Sequence, residues 1–147
     1  AATVLVAAGL ALGIYSRARP TPDTDALVNA GDATADPEAA VARFLKAERL
    51  PELPEAFDPG LFVIAATEKV QGRDVPVIVF RDRAGRGWAK VYAFRDTAFD
   101  PKNVRDAQTS NWIAKAYPAR GGVAFVVVFT GPDLATFLRG GANGPVL

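Results

Sequence analysis

Three side chains able to bind something stand at alternate positions of one short segment: Trp88, Lys90 and Tyr92 in WAKVYAF. A period of two places them on one face of a β-strand. Two aromatic rings flanking an ammonium group can form a cation–π contact or receive a ligand. The same pattern also describes a lysine snorkelling over a half-exposed sheet face. Trp88, Lys90 and Tyr92 are thus the candidate ligand or partner face.

Other constellations carry less. Asp96, Asp100 and Asp106 could offer oxygens to a hard cation, but they lack the spacing and closing glutamate of an EF-hand loop and read as solvated loop acids. Arg81, Arg83 and Arg86 surround two glycines and could meet an anionic surface. That segment joins two strands, however, whereas a phosphate-binding loop opens a helix, so it reads as a hairpin. No carboxylate pair stands at a spacing suited to acid–base work. The chain has no histidine and no cysteine, and its only serines are Ser16 and Ser110. Ser–His and Cys–His nucleophiles, imidazole catalysis and His/Cys zinc sites are therefore excluded. The expectation is a protein that is not an enzyme, with no catalytic, cofactor-binding or metal-ligating residues.

The elements that must position the candidate face follow from the pattern. The chain has 147 residues, half of them hydrophobic, which suits one domain with appendages. The net charge of +1 gives no reason to expect a nucleic-acid partner. Residues 23–59 carry a net −6 and residues 60–147 a net +5, an acidic connector before a mildly basic domain. Asp36 caps a helix with Pro37 at its first position and Glu38 in its first turn. Val41, Phe44 and Leu45 give it one apolar stripe, and Leu50-Pro51 ends it. Leu53 and Phe57 of the following loop are expected to tuck into the core.

Strands are expected over residues 61–70, 75–80 and 88–95, joined as an antiparallel meander because the connections are too short for crossovers. Pro76 favours an edge or a strand end. After an irregular stretch, 96–110, a weak strand follows over 111–117. VAFVVVF, residues 123–129, is apolar throughout, which implies burial on both faces and a central place. Thr130 and Asp133 have capping-box spacing before a second helix with a Leu134, Phe137, Leu138 stripe, ended by Gly140-Gly141. The whole reads as an α+β domain over 36–147, with an antiparallel sheet of about five strands and two helices on one face.

Ala1 to Tyr15 contains no charge. Fifteen helical residues span ~22 Å, short of the ~30 Å of a bilayer core. With no methionine at its start, the chain is expected to be processed or a fragment. The first reading is a transmembrane helix over 1–18, cut at its N-terminal side and contacting the membrane through 1–15. Gly9 and Gly13 on one face offer a possible homodimer contact. A signal peptide, with Ser16-Arg17-Ala18 at the cleavage point, and a buried core helix are the competing readings. Pro20 and Pro22 stop the run, and residues 19–35 read as a flexible stalk.

Val75–Arg81, Trp88–Arg95, Asn111–Tyr117, Val123–Thr130 and Asp133–Leu138, behind that run and stalk, resemble the extracytoplasmic C-terminal domain of membrane-anchored anti-sigma factors. The resemblance spans about residues 1–139. It implies a membrane-tethered, non-enzymatic sensor that helps control transcription in bacteria, with its folded domain periplasmic or extracellular. It further implies a separate cytoplasmic sigma-binding domain ahead of the helix, and a protein partner or regulatory protease acting at the stalk. Arg17 and Arg19 follow the run directly, and positive charge favours the cytoplasmic flank, so charge pattern and family layout point in opposite directions. The alternative is an exported envelope domain, freed by signal cleavage, that binds a ligand or protein.

Overall fold

The computed structural model describes residues 36–141. The apolar run 1–18 with Gly9 and Gly13, the stalk 19–35 and the tail 142–147 lie outside the described residues. Among the described residues no helix is long and apolar enough to cross a membrane.

Helix α1, Pro37–Ala47, starts as the sequence dictates: the Asp36 carboxylate accepts the Ala39 N–H at 3.1 Å, with Pro37 in the first turn. Its end is less legible. Arg49 turns into the left-handed region at φ 53° with no glycine to ease it, and the Leu50 N–H returns to the Leu45 carbonyl.

Six antiparallel strands follow: β1 Phe62–Val70, β2 Arg73–Arg81, β3 Trp88–Arg95, β4 Ala107–Gln108, β5 Trp112–Ala116 and β6 Val123–Thr130. Their order across the sheet is β1-β2-β3-β6-β5-β4. The first three form the expected meander. β6 then returns to lie between β3 and β5, because a strand apolar on both faces is stable only inside the sheet. Val123 to Phe129 are all buried.

Four expectations are corrected. The sheet has six strands rather than about five, since β4 is a two-residue pairing on β5 with no hydrophobic pattern of its own. The turn expected over 71–74 is tighter. Gln71 and Gly72 both take positive φ, 52° and 75°, a two-residue hairpin turn that matches strand twist and draws Arg73 and Asp74 into β2. β2 is an interior strand, not an edge, and Pro76 is tolerated because the β2–β3 ladder begins only at Val77. The second helix shrinks to a 3₁₀ turn, Leu134–Phe137, capped by Asp133 itself. Thr130 cannot cap it, because its hydroxyl is held in the sheet by the Trp88 N–H at 2.8 Å. The turn stops because the Asp58 and Arg139 N–H groups bond the Phe137 and Ala56 carbonyls, drawing this segment against residues 56–58.

Both faces of the sheet are buried. On face A, Ile78, Phe80, Val91, Phe125, Val127 and Phe129 meet Phe57, Leu134 and Phe137. Val41, Phe44 and Leu45 of α1 and Leu53 of the loop pack over them. The helix and the 3₁₀ turn thus lie on one face, as expected. On face B, Val75, Val77, Val79, Tyr92, Phe94, Val126 and Val128 carry no α-helix. The strap between β3 and β4, residues 96–106, covers one end of that face.

Candidate functional site

Strand alternation places Trp88, Lys90 and Tyr92 together on face B, as the sequence implies. Lys90 sits between Val79 of β2 and Val128 of β6. Its ammonium group donates to one Glu68 oxygen at 2.9 Å, and the Tyr92 hydroxyl donates to the other at 2.9 Å. Glu68 belongs to β1, so the three groups tie the edge strand to β3 across β2. Burial pushes the Tyr92 hydroxyl far above its usual range, and the Glu68 carboxylate adds to the rise. A phenol held so firmly protonated is neither a base nor a nucleophile at ordinary pH. The lysine is the snorkelling kind, its stem over valines and its charge paired.

The cation on the tryptophan is not Lys90, as the sequence allowed, but Arg81. Its guanidinium lies 4.9 Å from the centre of the Trp88 ring. The Gly85 carbonyl accepts from both Arg81 Nε, at 2.9 Å, and Nη2, at 2.5 Å, which fixes the plane. Arg81 is opposite Trp88 in the β2–β3 register, so antiparallel pairing decides the partner. Trp112 of β5 completes the row. It pairs with Thr130 of β6, whose hydroxyl bonds the Trp88 backbone. Two half-buried tryptophans thus stand on the same face with their backbones two strand spacings apart, roughly 10 Å. Sequence reasoning missed Glu68 and Trp112. The signal for Glu68 was a lone acid at the end of a strand, and for Trp112 the same parity as Ala114 and Ala116.

A second cluster of the same composition sits at the rim of face A. Glu55 Oε1 accepts from the Tyr117 hydroxyl at 2.9 Å and from Lys115 Nζ at 3.2 Å, and Lys115 lies 4.9 Å over the Tyr117 ring. Burial, then the bond to Glu55, pushes the Tyr117 hydroxyl up to about 12. The same bond, with help from Lys115, holds Glu55 below its usual value.

The remaining candidates have separate tasks. Asp100 accepts from the Lys102 backbone and the Asn103 side chain, and Asp106 accepts the Ala116 N–H at 2.7 Å, pinning the strap to β5. Asp96 is held elsewhere, its N–H bonded to the Gly122 carbonyl. Among the described residues no three carboxylates gather where a metal ion could bind. Of the three arginines, Arg83 pairs with Asp58 at 3.2 Å, and the Arg86 N–H is accepted by Asp82. Asp82 is held below its usual value by backbone N–H groups, that of Gly87 first. This is an aspartate-centred hairpin.

The arrangement presents a flat aromatic and cationic surface whose acids and bases are engaged with one another. No protein-family model, curated protein or solved structure matches the chain.

Proposed function

We propose that this protein is a membrane-tethered, non-catalytic sensor or regulatory domain of the anti-sigma type, acting outside the cytoplasm. The observation that carries this reading is the charge-free run Ala1–Tyr15, followed by a Pro/Asp-rich connector ahead of the sheet domain. The half-buried Trp88 and Trp112, with Lys90 and Arg81 beside Trp88, support it. Half-buried aromatics beside cations suit partner contact, and the polar groups there are engaged in mutual bonds. Regulation would enter at residues 20–35, because an extended connector fits a protease cleft and a packed sheet does not.

Protease protection tests this in cells that express the protein. Protease added outside should cut within residues 20–35 and leave residues 60–139 intact. Cleavage only after the membrane is breached would reverse the orientation and end the sensor reading. The small-x-small triplet Ser16-Arg17-Ala18 favours one alternative, an exported envelope domain. Its mark would be the domain free outside the cell and lacking residues 1–18.

A further inference from the structure

Residues 96–106 cross face B as a strap fixed at both ends. Phe99 packs edge-on against Phe94 with ring centres 4.9 Å apart, and Asp106 bonds the Ala116 backbone. Between those anchors the strap stands off the sheet and leaves a cavity of about 210 Å³. Its floor is apolar, formed by Phe94, Ala114 and Val126, with Val104 and Ala107 at its side. A dry apolar cavity of about 150 Å³ already admits a benzene ring. This one has room for a ring with a short substituent.

The rim of the cavity carries one acid and one base, which differ in what each leaves open to a ligand. Asp100 and Asn103 reach it, but the Asp100 carboxylate is engaged by the Lys102 backbone and the Asn103 amide. Arg105 also lines the cavity and, among the described residues, makes no ion pair. An exposed arginine at the edge of an apolar floor, with no ion pair among the described residues, suits a carboxylate on an apolar body. We infer that the cavity beneath the strap binds a small amphipathic anion, with its apolar body on Phe94 and Val126 and its carboxylate at Arg105. This goes beyond the proposed function and does not depend on membrane attachment. In a sensor such a ligand would be the stimulus, since its site lies under the segment that joins β3 to β4.

The test titrates benzoate, and benzyl alcohol as its uncharged counterpart, into the full 147-residue chain with isotope-labelled alanine methyls. The Ala107 and Ala114 methyls should shift saturably with a Kd on the order of a millimolar, the scale for so small a ligand. Ala93, which faces the other side of the sheet, should not move. Benzoate should bind about threefold more tightly than the alcohol, the value of a half-exposed ion pair. Arg105→Gln should erase that difference and leave the alcohol's affinity unchanged. Ala107→Phe, which fills the cavity, should abolish both, with the Ala93 signal showing that the variant folds. Failure of Ala107 and Ala114 to shift up to about 20 mM overturns the site. Equal affinity for the two probes, or a benzoate preference that survives Arg105→Gln, overturns the anion. If Ala107→Phe does not fold, the Arg105→Gln comparison decides alone.

Discussion

The two faces of the sheet are covered by different means. Face A is closed by α1, the 3₁₀ turn and the 52–57 loop, all bringing apolar side chains. Face B has no α-helix and is closed by the strap and by long side chains of the sheet itself. The same three residue types appear on each side. Glu68, Lys90 and Tyr92 lie across face B, and Glu55, Lys115 and Tyr117 stand at the rim of face A. In both, a lysine and a tyrosine two residues apart on one segment share a carboxylate from another. Tyr92 is buried under its neighbours, whereas Tyr117 is half exposed beneath Lys115. The contrast teaches that composition makes the cluster and depth decides its strength. In the deeper cluster a lost partner strands a polar atom, and in the shallower one water replaces it.

The strongest test asks whether face B is a true core. Val126 is 1% exposed on face B and Val127 is 0% exposed on face A. Val126→Asp and Val127→Asp each bury an unpaired charge and should each cost roughly 4 kcal/mol or more, abolishing cooperative melting. A Val126→Asp protein that melts near the parent temperature would show face B to be a surface.

The paired tyrosines sharpen the comparison. Glu68→Ala strands the buried Tyr92 hydroxyl and should cost about 1–2 kcal/mol in denaturant unfolding, while Glu55→Ala leaves the half-exposed Tyr117 hydroxyl to water and should cost under about 1 kcal/mol. Equal losses would mean that depth does not separate the clusters. Their pH dependence differs too. Tyr117 is raised from 10.0 to about 12, so its contribution is full below pH 10 and is lost as pH rises toward 12. Glu55 is lowered, so its contribution is present above its ordinary 4.5 and is lost as pH falls below that value. Phenolate absorbance should show Tyr117 ionising near pH 12 and Tyr92 staying protonated until the domain unfolds.

The smallest effect is expected at Arg81. Removing the guanidinium from the Trp88 ring in Arg81→Ala should cost about 0.5–1 kcal/mol and red-shift Trp88 emission as water reaches the indole. Unchanged emission would mean that the stacked arginine does not shield the ring.

What the sequence by itself determined is local. Period-two alternation set Trp88, Lys90 and Tyr92 on one face, Asp36-Pro37 opened α1, and the unbroken VAFVVVF run required an interior strand. Each follows from the chain's own geometry and from the cost of exposing apolar surface. Tertiary structure decided which distant groups meet. Glu68 reaches Lys90 and Tyr92 only because β1 lies two strands from β3, and Arg81 takes Trp88 only through the β2–β3 register. Trp112 joins Trp88 because β6 inserts between their strands. The expected second helix yielded for the same reason. Thr130 had a better partner in the Trp88 backbone than in its own turn, and residues 137–139 found theirs at residues 56–58. Periodicity specifies which way a side chain points, but partners brought together across the fold depend on strand order and loop closure, which no local pattern encodes.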